Sequence, residues 1–140
     1  MGIKILHVDH DYINATTFHG VDFRVICWPV TGANLLSFQY GIMPSGTGTK
    51  EHFHGSSEDV IFVIQGEGLV ENKETGERFA IKRGNVIFVE PGTWHKIIST
   101  GTENLICAGV TSPPDFMFYK ADEGLSKVLN EYLMKKRLLR

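Results

Sequence analysis

The spacing of short apolar runs constrains this chain more than any other feature. Runs rich in Val, Ile, Phe and Tyr stand at residues 21–28, 35–43, 59–65, 68–72, 78–81, 86–89, 96–100 and 104–110. Between them lie Pro44-Ser45-Gly46, Gly66-Glu67-Gly68, Gly76, Gly84 and Pro91-Gly92. β-Branched and aromatic side chains fit a pleated, half-buried surface, and Gly and Pro set the turns. Many short strands with no helical pattern between them leave a β-sandwich or a small barrel, an all-β core.

After residue 110 the pattern changes. Pro113 and Pro114 stop the last strand. Beyond them Leu125, Val128, Leu129, Tyr132, Leu133 and Leu139 fall at helical spacing. Asp122 and Glu123 open this stretch, and Lys135, Lys136, Arg137 and Arg140 close it, as the helix dipole favours. The spacing predicts a C-terminal α-helix over about 122–140, its stripe packed on the barrel exterior or on a partner subunit. No repeat or linker interrupts the chain, so 1–140 reads as one domain with its barrel core at about 21–110. A domain of this length buries roughly 68–70% of the surface its unfolded chain exposes, enough for a core without staples.

Fourteen Lys and Arg against sixteen Asp and Glu give a net charge of −2. That excludes a polyelectrolyte, and the terminal basic cluster reads as a solvated helix end, so no nucleic-acid partner is expected. No apolar run is long enough to span a membrane. Residues 1–10 lack a basic stretch followed by an apolar one, so the expected location is cytoplasmic. Cys27 and Cys107 lie in apolar runs and read as two buried thiols.

The chemistry concentrates in two segments. In the first, His52 and His54 stand at i and i+2, followed by Glu58 and Asp59. On an extended chain two such histidines share a face, about 6.6 Å apart along the strand. At that spacing two imidazoles can converge on one ion through bonds of about 2.0–2.1 Å, with a carboxylate adding an anionic oxygen. In the second, His95 follows the Pro91-Gly92 turn. A hairpin can return this strand beside the first and bring a third imidazole to the same ion.

These segments resemble the two motifs of the cupin superfamily. Gly46, His52, His54 and Gly66 match the first, and Gly84, Gly92 and His95 match the second in register. The resemblance implies a double-stranded β-helix, or jelly-roll, barrel carrying the C-terminal helix. It also implies one divalent ion held by His52, His54, His95 and one carboxylate. Counting back from Gly66 selects Asp59, where the family usually has Glu; counting on from His54 selects Glu58. Strand alternation allows only one of them to face inward, and the register to Gly66 favours Asp59. The family's first proline is Glu90 here and its asparagine is Ser99.

Three imidazoles and a carboxylate suit Fe, Mn, Co, Ni or Zn. Four protein ligands on an octahedral ion leave two positions for water, substrate or O2. The resemblance therefore implies a metal-dependent enzyme acting on a small, oxygen-rich, anionic substrate, with a dioxygenase-type oxidoreductase as the first expectation. The alternatives are a lyase (decarboxylase), isomerase or hydrolase, or a non-catalytic binding or sensing module. Period-two counting places Lys50 beside His52, where its charge would meet an anion, and Ile97 and Ser99 on the inward face beyond His95. Phe38 and Tyr40 are further candidates for the pocket wall. Phe116, Met117, Phe118 and Tyr119 read as ordinary packing, with a lid over the barrel or a dimer seal as the alternative, and His7, Asp9, His10 and Asp11 as exposed. Edge strands and the helical stripe call for cover, and cupins commonly pair, so a homodimer is expected.

Overall fold

The structure is a computed structural model describing residues 2–138, so Leu139 and Arg140 of the expected helix lie outside the described residues. Nine strands run as β1 (Ile13–Ala15), β2 (Asp22–Cys27), β3 (Ser37–Met43), β4 (Glu58–Gln65), β5 (Glu67–Asn72), β6 (Arg78–Lys82), β7 (Val86–Val89), β8 (His95–Ser99) and β9 (Leu105–Ser112). Two helices follow, α1 (Phe116–Ala121) and α2 (Glu123–Leu138). Each expected strand is present; β1 and α1 were not anticipated. Among the described residues no helix is long and apolar enough to cross a membrane.

The strands form two antiparallel sheets, one in the order β1-β2-β3-β9-β4-β7 and one in the order β6-β5-β8. Residues 48–52 extend the small sheet through isolated bridges of Gly48 to Ile98 and His52 to His95. This is the all-β jelly-roll barrel. Gly66, between β4 and β5, shows why the turn needs glycine. Its φ is 89°, and a Cβ there would lie 2.5 Å from the Asn104 carbonyl oxygen.

Two cores lie on the inner face of the large sheet. One is closed by the small sheet and contains Met43, Ile61, Val63, Ile97, Leu105 and Cys107. The other contains Ala15, Val25, Trp28, Tyr119, Leu125 and Leu129. The register shows that both belong to one face. Ala15 pairs with Phe23 and Phe23 with Gly41, while Val25 pairs with Gln39, and directly paired residues point the same way. The C-terminal helices therefore cover the inward face of the sheet at its β1–β2 end. The expectation of a helix on the barrel exterior is corrected: the short β6-β5-β8 sheet cannot span the six-stranded one, and α1 and α2 fill the remainder.

Asp122 fastens this cap. It is 1% exposed. Its Oδ1 accepts from the Leu125 amide at 3.0 Å, and its Oδ2 from the amides of Thr16 at 2.8 Å and Thr17 at 2.9 Å and from the Thr17 hydroxyl at 2.6 Å. One carboxylate thus caps α2 and holds the chain just after β1. Burial raises its pKa, but these hydrogen bonds prevail and hold it below the usual carboxylate value. Both cysteines are free; Cys107 is buried, whereas Cys27 is half-buried rather than buried as expected.

Candidate metal centre

His52 and His95 face each other across a backbone bridge. The His52 amide donates to the His95 carbonyl at 3.0 Å, and the His95 amide donates back at 2.9 Å. Their rings are 4.3 Å apart, and the His54 ring lies 4.9 Å from His52 and 5.4 Å from His95. One candidate ligand atom from each of the three lies within 4.8 Å of the others. His52 and His54 are half-buried, and His95 is 2% exposed.

The ring nitrogens sort themselves by what they touch. His52 Nδ1 is 2.6 Å from the Lys50 carbonyl, and His95 Nδ1 is 2.8 Å from the Thr93 carbonyl. Nδ1–H therefore donates outward in both, leaving each Nε2 with a free lone pair. His95 Nε2 is buried with no hydrogen-bond partner. A buried orphan acceptor costs about 1–3 kcal/mol, and a cation would satisfy it. The donor set thus fits a metal ion.

Electrostatics separate the three imidazoles. Burial, and then the adjacent His95, push His52 down to about 4. Burial likewise lowers His95. Burial acts downward on His54 too, but hydrogen bonds to the carboxylates of Asp115 and Asp59 overcome it and raise the ring to about 9. His54 Nε2 lies 3.3 Å from Asp59 Oδ2, and His54 Nδ1 lies 3.0 Å from Asp115 Oδ2.

The histidines open on a cavity of about 70 Å³ at the seam between the two cores. Met43, Ile61 and Ile97 belong to one side, Phe23 and Phe118 to the other.

The cupin domain profile matches residues 39–110 of this chain. The chain belongs to the cupin family. This cupin is 33% identical over 114 residues to an uncharacterized protein of Methanocaldococcus jannaschii, covering 80% of this chain and 90% of that one. It is 30% identical over 97 residues to the polyketide synthase CurC of Streptomyces cyaneus. That match covers 69% of this chain and 62% of CurC, so the cupin spans less than two-thirds of that protein. The polyketide cyclase RemF from Streptomyces resistomycificus shares the fold, with a TM-score of 0.68 at 17% identity over 91% of this chain and 99% of that one. Enzymes therefore stand among the proteins this cupin is similar to.

The structure brings some expected residues to the cavity and removes others. Asp59 is 6% exposed and lines it, while its neighbour Glu58 is exposed on the opposite face of β4. Ile97 lines it as well. Ser99 is fully buried and its hydroxyl is unpartnered, but it lies outside the lining. Lys50 is exposed, and the buried Thr49 takes the inward place. The bridges explain this. From Gly48 to His52 is four residues, but from His95 to Ile98 is three, so an extra residue breaks the period-two count. Phe38 and Tyr40 are also corrected: Gln39, Gly41 and Met43 form the cavity face of β3, and the aromatic pair points the other way.

Several lining residues were not among the sequence candidates. Phe18 and Phe23 come from the β1–β2 region and Asp115 from the start of α1. Phe118, read first as packing with a lid over the barrel as the alternative, lines the cavity too. Asp115 had one readable signal. An Asp just after Pro113-Pro114 and before an apolar run is a helix N-cap pattern, and its Oδ1 does accept from the Phe118 amide at 3.1 Å.

Proposed function

We propose that this cupin is a metal-dependent enzyme in which His52, His54, His95 and Asp59 hold one divalent ion facing the cavity. The observation that carries the reading is the convergence of three imidazoles beside a buried carboxylate, with His95 Nε2 left unpartnered. The ion would supply Lewis-acid polarisation of a substrate oxygen and a site for O2. The protein's own part is to keep the His52 and His95 rings fixed by their backbone contacts, to orient His54 through Asp115, and to exclude bulk water with apolar walls. Lys50, the side chain expected to meet an anionic substrate, is exposed and does not line the cavity.

Oxidation by O2 remains the first reaction class proposed. A non-oxidative reaction of a lyase, isomerase, cyclase or hydrolase type is the second, favoured by the likeness to a polyketide cyclase. A non-catalytic binding module is the third reading. We further propose that the chain pairs as a homodimer.

An oxygen electrode separates the reaction classes. Fe(II)-loaded protein should consume O2 only with substrate present, and Zn(II)-loaded protein should not. Full turnover by the Zn(II) or Mn(II) form under strict anaerobiosis would replace the oxidative reading with the non-oxidative one. Ligand-induced stabilisation without turnover by any metal form would favour the binding module.

A further inference from the structure

The cavity carries a charge pattern and a wall that the metal-binding residues do not require. No lysine or arginine lines it among the described residues. Its only charged side chains besides the histidines are Asp59 and Asp115. With a divalent ion bound, two carboxylates and three neutral imidazoles make the site formally uncharged. An anionic ligand would meet an ion whose charge those carboxylates already offset, with no cationic side chain to add to the attraction, so the hydration it loses in an apolar enclosure is poorly repaid.

The walls are aromatic on one side and bare on another. Phe18 packs against Phe118 with ring centroids 5.9 Å apart and planes 24° from parallel, and against Phe23 at 5.4 Å edge-on. Phe18 also meets the His52 ring at 5.1 Å, so the aromatic wall runs directly to the ligand group. On the sheet, Gly41 lines the cavity at a place where a side chain is absent but has room. Its backbone φ is not positive, and a Cβ there would meet only Met43 Cε, at 3.9 Å. Neither backbone strain nor crowding explains glycine in the middle of β3. A glycine inside a strand weakens it and marks places where a ligand approaches closely.

We propose that the cavity accepts an uncharged, flat ring carrying oxygen. The ring lies over the bare strand surface at Gly41, against the Phe18–Phe23–Phe118 wall, with its oxygen toward the histidines. The volume of about 70 Å³ limits the enclosed part to a single small ring. Face and edge contacts between such a ring and the phenylalanines supply orientation as well as burial. This inference rests on the metal-centre reading for the direction of the oxygen and the neutrality of the site, but not for the shape of the walls.

The test is calorimetric titration of zinc-loaded protein, freed of excess zinc, with catechol, salicylate and oxalate. Catechol enters as an uncharged ring, and a proton it loses on meeting the ion passes to solvent; salicylate replaces one hydroxyl by a carboxylate; oxalate is a ringless dianion. Catechol should bind at least tenfold more tightly than either. Gly41→Leu should weaken catechol binding at least tenfold while leaving zinc stoichiometry and circular dichroism unchanged, and Gly41→Ala, which has room for its methyl, should fall between. Tighter binding of salicylate or oxalate, or a Gly41 series without effect on catechol, overturns the proposal. Failure of the metal reading is distinguishable, because the protein would then take up no zinc. In that case phenol should raise the melting temperature of the metal-free wild type but not of Gly41→Leu, and equal shifts in the two overturn the proposal.

Discussion

Asp115 Oδ2 lies 3.0 Å from His54 Nδ1, while the other oxygen of the same carboxylate accepts from the Phe118 amide. One side chain therefore starts α1 and orients a candidate metal ligand. Carboxylates behind ligating histidines typically contribute 10–100-fold to metal affinity. Asp115→Asn keeps a good helix cap but loses the charge facing His54. It should weaken metal binding by roughly that factor, measured by competition with a chelating dye. The visible spectrum of a Co(II)-loaded sample should shift with it, which a purely structural role for Asp115 would not produce.

Purified protein should bind about one divalent ion per chain. His52→Ala, His54→Ala and His95→Ala should each remove most of it, read by elemental analysis after dialysis. Asp59→Asn should weaken binding clearly and Glu58→Gln little, because Asp59 faces the cavity and Glu58 faces out. The reverse order would exclude Asp59 as the fourth ligand.

Asp122 gives stability a pH dependence of known sign. Its folded pKa lies below the value of 3.8 for an unperturbed aspartate. The stabilisation is therefore complete above about pH 4 and is lost as pH falls through the folded pKa. Asp122→Asn should lower the melting temperature of metal-free protein at pH 7 and narrow its difference from wild type toward pH 3. Asp122→Ala should be destabilising by about 1–3 kcal/mol in urea titrations, since it removes the acceptor for the amides of Thr16, Thr17 and Leu125.

The outer face of β4 and β7 is apolar. Val60 pairs with Phe88 and Phe62 with Val86, and Val86 and Phe88 are 64% and 55% exposed. A contiguous patch on an edge strand is the face a homodimer would cover. Sedimentation at micromolar concentration should give a dimer. Phe88→Lys should shift it toward monomer without changing metal content, and a wild-type monomer would refute the pairing.

The barrel was legible in the sequence because its strands are short, β-branched and bounded by Gly and Pro. The three histidines were legible because both motifs hold their register. Facing was harder. β4 carries apolar residues on both sides, Ile61 and Val63 inward and Val60 and Phe62 outward, so polarity could not orient it and only the spacing to Gly66 chose Asp59. On β3 the rule inverted: the cavity side holds Gln39 and Gly41, and the aromatic residues lie opposite. Lys50 failed because residues 48–52 contain an extra residue that alternation ignores. Phe118 and Asp115 reach the cavity through the docking of the helical cap, and Phe18 through the turn between β1 and β2, contacts between distant parts of the chain that no local pattern announces.

The seam between the two cores divides the cavity by place in the chain as well as by position in space. The imidazoles come from residues 52–95 and are pinned by barrel backbone. Much of the aromatic wall comes from residues 18, 23 and 118, outside that stretch. Substitutions at 18, 23 and 118 can therefore change which molecules are admitted while the backbone bridge between His52 and His95 stays as it is. Admission and chemistry are thus written largely in different stretches of the chain, so one barrel can be retuned to new compounds by a few substitutions in its wall.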